Sequence, residues 1–137
     1  MSEMNDWNAG IIKEFRANGG KVEQFGDAPL VILHTIGAKS GQLREIPLVM
    51  LLDGDQRFVF ASAAGAPKHP DWYHNLLSTP EIDVELASET IRARLSPLEE
   101  TERASRLEQQ AGIMPQFGEY MTSAAPRLIP VFEIVPV

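Results

Sequence analysis

Three apolar runs in the first half of the chain, Pro29–Ile36, Arg44–Leu52 and Arg57–Ser62, are joined by connections too short to hold a helix. These are Gly37-Ala38-Lys39-Ser40-Gly41 and Asp53-Gly54-Asp55. Parallel strands need a crossover of about a dozen residues or more, so the runs predict antiparallel neighbours linked by hairpins. Pro47 has no N–H for a ladder, which predicts an edge or a bulge in the second run. Ile82–Leu86 and Thr90–Leu95 alternate with a period of two around Ala87-Ser88-Glu89, as a half-exposed hairpin does, and Ile129–Val135 reads as a last strand.

Helices fall at the margins of this pattern. The first has Asn5 as its expected N-cap, Trp7, Ile11, Ile12 and Phe15 on one face, and Asn18-Gly19-Gly20 as its stop. That face suits packing on the body better than a membrane surface, because its polar side is mixed and not basic. Asp71–Leu77 reads as a short helix entered at Pro70. Pro97–Gln110 carries Glu99, Glu100 and Glu102 in its first turn, and Pro115–Thr122 is shorter. The order predicts an α+β fold: an antiparallel sheet of about six strands, closed or half closed, with flanking helices. No GxGxxG or Walker loop is present.

The chain has 137 residues, within the range of one domain. Its 44% hydrophobic and 23% charged residues sit near globular averages, against disorder as the main state. Without cysteine there is no disulfide framework, thiolate metal site or Cys nucleophile. Met1–Gly10 carries Glu3 and Asp6 and does not read as a signal peptide, and no apolar run approaches the ~18 residues of a membrane span. A cytoplasmic protein fits these features. Twelve Lys and Arg against 19 Asp and Glu give a net charge of −7, unlike the basic face that nucleic acid requires. Ala28–Arg44 nevertheless contains Lys39 and Arg44 and no acid, whereas Glu81–Glu108 holds eight acids and four bases. A small basic pocket on an acidic body suits a small anionic ligand.

Two stretches can carry chemistry. In Thr35–Arg44, Gly37 and Gly41 permit a tight turn whose N–H groups can cradle an anion. Lys39 adds a point charge, Ser40 a hydroxyl and Arg44 a planar fork suited to phosphate. A solvated hairpin turn would use the same residues. In Ala61–Asn75, small residues allow close backbone approach before a helix begins, and Asn75 lies three residues after Trp72. Trp72 either offers a flat face to a ligand or belongs to the core. The histidines His34, His69 and His74 lack metal-site spacing, and no metal is expected. Glu81, Asp83 and Glu85 share one strand face, the pattern of a wet sheet surface.

Together the two stretches resemble a known family. Thr35, Gly37, Lys39-Ser40-Gly41-Gln42, Arg44 and Pro47-Leu48 are followed by Asp53-Gly54. Then come Ala61-Ser62, Gly65-Ala66, Lys68, Pro70, Trp72-Tyr73 and Asn75-Leu76. This pattern is similar to that of the actinobacterial deazaflavin-dependent nitroreductases, which use coenzyme F420. The resemblance is close from Ile32 to about Leu86 and weaker through Pro115–Tyr120 to Ile129-Pro130-Val131. It implies a split β-barrel related to flavin-binding reductases, here a helix over residues 1–20 and a deazaflavin-binding barrel over 21–137. It implies hydride transfer from C5 of the reduced coenzyme to an electron-poor small molecule such as a quinone or nitroaromatic compound.

The resemblance assigns Lys39, Ser40 and Arg44 to the phosphate and tail of the coenzyme. It sets Pro47, Leu48, Val49, Ala61, Ser62 and Ala63 beside its rings, and Asp71, Trp72 and Asn75 on the helix closing the groove. Ser62 and Tyr120 are the candidate proton donors. The chain departs from the family where Ala63 replaces a lysine, with Lys68 as a substitute. It departs again where Val49, Met114 and Phe117 stand near tyrosine positions and only Tyr120 remains. Quinones are therefore at least as well suited as nitro compounds. An FMN-dependent reductase of the same superfamily and a non-catalytic deazaflavin carrier are the alternatives. A homodimer and a peripheral contact of the N-terminal helix with the inner face of the membrane stay open.

Overall fold

The computed structural model describes residues 3–137. Among them the order is α1 (Glu3–Ala17), β1 (Leu30–Ile36), β2 (Leu43–Val49), β3 (Leu51–Asp53), β4 (Gln56–Phe60) and α2 (Asp71–Ser78). It continues through β5 (Glu81–Glu85), β6 (Thr90–Pro97), α3 (Glu100–Ile113), α4 (Pro115–Ala124) and β7 (Val131–Pro136). The strands form one sheet in the order β2-β1-β5-β6-β7-β4-β3, and every pairing is antiparallel. Its terminal strands, β2 and β3, are separated in the chain only by Met50. A single residue spans about 3.8 Å, so the sheet must curl until its two ends almost meet. The half-closed antiparallel α+β sheet expected from the hairpins is the fold observed, and it is the split barrel that the resemblance implies.

The expected count of about six strands comes out as seven. Pro47 does not bulge: it pairs in register with Ile32 within β2, an edge strand of the sheet. The second apolar run breaks at Met50, whose N–H turns back to the Pro29 carbonyl at 2.8 Å, and the chain re-enters the sheet at its far end. The third helix also starts later than expected. Ser96 and Pro97 remain in β6, opposite Glu133 and Phe132, and Glu99 caps α3 by accepting the Thr101 and Glu102 N–H groups. Helix α1 begins at Glu3, so Asn5 lies within it and is not its cap.

β1 is apolar from Leu30 to Leu33 because both faces of that stretch are covered, with His34 and Thr35 following it. Val31 and Leu33 join Val59, Trp72, Leu76, Phe132 and Ile134 inside the barrel. Leu30 and Ile32 face outward and are covered by Ile11, Ile12 and Phe15 of α1. Burying three such side chains contributes on the order of 1.5–3 kcal/mol each. The apolar face of α1 thus lies on the barrel, while Trp7 remains 52% exposed. No helix among the described residues is long and apolar enough to cross a membrane.

The β5–β6 hairpin alternates as expected, with Ile82, Val84, Ala93 and Leu95 inward. Glu81 and Asp83 pair across the strands with Arg94 and Arg92 at 3.4 and 3.3 Å. Glu85 instead meets Arg16 of α1 at 2.8 Å, and the same guanidinium reaches Glu45 of β2 at 2.6 Å.

Candidate functional site

The turn between β1 and β2 is closed by its own backbone. The Gly37 N–H donates to the Gln42 carbonyl at 2.8 Å, and the Gly41 N–H to the Gly37 carbonyl at 2.9 Å. Ser40 Oγ accepts the Gln42 N–H at 3.1 Å, and a Cβ on Gly37 would meet that oxygen at 2.5 Å. Ser40 is therefore part of the turn's frame, with its O–H free to donate. Lys39 and Arg44 are exposed, and neither forms an ion pair among the described residues. Among the described residues the one hydrogen bond of the Arg44 side chain is a 3.4 Å approach to Gln42 Oε1.

β2 is an edge strand. The hydrogen bonds of Gly37 with Gln42 and of Met50 with Pro29 set its alternation. Arg44, Ile46 and Leu48 turn their backbone groups toward β1, and Leu43, Glu45, Pro47 and Val49 toward the free edge. Pro47 brings no unpaired donor to that edge. The side chains diverge: Ile46 and Leu48 pack on the barrel interior, and Val49 packs on the α1 cluster.

Beyond β4 the chain bends abruptly. Ala61 still donates to the Pro130 carbonyl at 2.9 Å, after which Ala63, Ala64 and Gly65 take φ values of 50°, 52° and 82°. Two consecutive left-handed alanines are costly, and such strain gathers at functional positions. α4 packs directly on this bend. Ser123 Oγ donates to the Gly65 carbonyl at 2.8 Å, and a Cβ on Gly65 would lie 3.0 Å from the Cα of Tyr120. Ser62 and Tyr120 are thereby brought to adjoining segments. Phe117, 4% exposed, stacks edge-on to Phe60 at 5.1 Å and belongs to the core, with half-buried Met114 packed on the same cluster.

α2 ties the two motifs together. Asn75 Oδ1 accepts the Ala38 N–H of the β1–β2 turn at 2.9 Å, which leaves its NH2 without a partner among the described residues. Asp71 stands exposed in the first turn of α2. Trp72 is 8% exposed and packs against Phe132 at a ring distance of 6.3 Å, so the core reading of this residue describes its position.

The sequence reading missed Arg127. Its guanidinium donates to the Ala61, Ser62 and Ala66 carbonyls at 2.8–3.0 Å and reaches His69 Nδ1 at 3.0 Å. That nitrogen must be the acceptor, so His69 is neutral here. Burial first, then the charge of Arg127 and the neighbouring His74, hold its pKa below the usual imidazole value. The available signal was that Arg127 is the single basic residue after Arg106. Two further features flank the first motif on its α1 side. A groove of about 550 Å3 between α1 and β2 is lined by Lys13, Arg16, Arg44 and Glu45 among others. His34, Glu45 and Glu85 bring ligand atoms within 4.8 Å of one another, but Arg16 already bonds both carboxylates.

A strained small-residue bend, a free strand edge and two cations that form no ion pair among the described residues can hold a flat anionic molecule. Residues 10–136 match the family model of the F420H(2)-dependent quinone reductases, and the chain belongs to that family. An F420H(2)-dependent quinone reductase of Mycobacterium tuberculosis strain H37Rv is 32% identical over 87 residues. That alignment covers 62% of this chain and 58% of the relative's length. Among solved structures, an F420-H2 dependent reductase (FDR-A) is 34% identical with a TM-score of 0.68, over 77% of this chain and 93% of that one. A chain described as a domain-swapped dimer is 30% identical with a TM-score of 0.70, over 96% and 99%.

Proposed function

We propose that this protein transfers a hydride from reduced coenzyme F420 to a quinone-type acceptor. The observation that carries this reading is the Asn75–Ala38 hydrogen bond. It sets the cationic turn of one motif against the helix of the other, with the free edge of β2 alongside. Family membership supplies the cofactor and acceptor class, and the residues present suit them. Lys39 and Arg44 would take the phosphate and acidic tail, helped by the Ser40 hydroxyl and the Asn75 amide. The backbone of Pro47–Val49 and of Ala61–Ala63 would border the rings.

When bound, the reduced coenzyme supplies the hydride. The protein then needs no nucleophile or metal; it must hold the reacting atoms within about 3–3.5 Å, exclude water and deliver a proton. Ser62 and Tyr120 are the hydroxyls proposed for that proton. Trp72 would act from behind, by fixing α2 through its contact with Phe132. Quinones are favoured over bulky nitro compounds because Phe117, near a family tyrosine position, is committed to the core. A homodimer is the assembly this reading carries, by likeness to a relative described as dimeric.

Fluorescence titration with F420 and with FMN tests the cofactor. Tighter binding of F420 is expected, and a preference for FMN would overturn the assignment. Mixing the protein with reduced F420 and menadione tests catalysis. Reoxidation no faster than without protein, for menadione and other quinones, would make the chain a carrier.

A further inference from the structure

We propose that Arg127 is a positioning residue of this site: it holds the Ser62–Gly65 bend in its left-handed form and so fixes the wall against which the coenzyme rings lie. The inference rests on the reading just given. Its basis is the way one guanidinium brackets the whole bend. Nη1 takes the Ala61 carbonyl at 3.0 Å and Nη2 the Ser62 carbonyl at 2.8 Å, both before the left-handed residues. Nε and Nη2 together take the Ala66 carbonyl after them, at 3.0 and 2.9 Å. The fork thus ties entry and exit to one rigid plane.

No carboxylate pairs with Arg127 among the described residues, and burial pushes its pKa below the usual arginine value. Its charge is spent on peptide oxygens, which makes these hydrogen bonds charge-assisted. A connection needed only for stability would place glycine at each left-handed position. Here Ala63 and Ala64 keep their Cβ atoms at φ values of 50° and 52°, and Arg127 with Ser123 holds them there. Ser62 and Ala63 are the very residues placed beside the rings. Arg127 touches neither coenzyme nor acceptor in this scheme and acts through the bend.

The test compares full-length wild type with Arg127→Lys, which keeps the charge and loses the fork, and Arg127→Ala. Amide exchange read by mass spectrometry should speed at least tenfold in peptides spanning Ala61–Ala66, with β1 unchanged. With reduced F420 and menadione, kcat should fall at least tenfold per folded molecule while the KM for menadione moves less than threefold. Guanidinium ion, below unfolding concentrations, should partly restore the kcat of Arg127→Ala. Exchange and kcat within twofold of wild type in both variants would overturn the proposal. So would a uniform loss of stability with kcat intact. Failure of the parent reading is seen separately, as wild type that neither binds nor turns over F420, and it would remove the site role even if exchange showed Arg127 holding the bend.

Discussion

Asn75 Oδ1 and the Ala38 N–H, 2.9 Å apart, form the one side-chain bridge between the β1–β2 turn and α2 among the described residues. The donor lies on an exposed turn, so water can replace the lost acceptor. Asn75→Ala should therefore lower stability by no more than about 0.5–1.5 kcal/mol. Its effect on coenzyme affinity should be larger in proportion, because the turn carrying Lys39 would lose its registration against α2. Urea unfolding and fluorescence titration of the same variant read the two effects. An unchanged affinity would detach Asn75 from the site.

Lys39 has no partner to lose among the described residues. Lys39→Ala should leave the melting temperature unchanged and weaken F420 by about 1.5–3 kcal/mol, the range of a hydrogen bond to a charged group. The difference between wild type and variant should shrink as salt rises, since an exposed cation is screened over about 10 Å at 0.1 M. Equal affinities at low salt would return the turn to a solvated hairpin.

The barrel was legible where local and global signals agreed. The β5–β6 alternation, the Asp53-Gly54-Asp55 hairpin and the apolar run of β1 each state their environment in their own residues. Met50 does not: a one-residue transfer between sheet ends is a property of the curled sheet, invisible in residues that favour strand on either side. The two motifs were legible as short patterns, but their junction through Asn75 was not, because the Ala38 N–H it binds is a backbone group 37 positions away. Arg127 was not, because its partners are carbonyls some 60 positions away in the chain and carry no side-chain signature. Trp72 shows the opposite hazard, a conspicuous residue whose bulk is used in packing.

The Arg16–Glu85–Glu45 cluster fastens α1 to the sheet and should make that attachment acid-sensitive. Hydrogen bonds from Arg16, with a smaller share from His34, outweigh burial and hold the Glu85 pKa at about 2 against an ordinary 4.5. A carboxylate depressed in the folded state stabilises it fully above the unfolded value. That contribution is lost as pH falls from about 4.5 toward about 2. Allowing for solvent screening at half-exposed Arg16, it amounts to about 1–2 kcal/mol. Glu85→Gln should flatten this part of the stability–pH curve measured by denaturant unfolding. A wild-type curve already flat there would show that the cluster contributes nothing.

Neighbouring substitutions in the strained bend should act in opposite directions. Gly65→Ala places a Cβ at φ 82°, where it also meets the Tyr120 Cα and the Ser123 Cβ at 3.0 Å. The first contact is with helix backbone and cannot yield without moving α4. Strain and overpacking together predict a loss of about 2–4 kcal/mol. Ala64 is exposed and also left-handed, at φ 52° and ψ 33°. Ala64→Gly removes the Cβ penalty but adds freedom to the unfolded chain, so stability should change by less than about 1 kcal/mol, in the stabilising direction. Urea unfolding of both variants checks the signs. A neutral Gly65→Ala would mean that α4 does not rest on the bend, and Tyr120 could then no longer be placed beside Ser62.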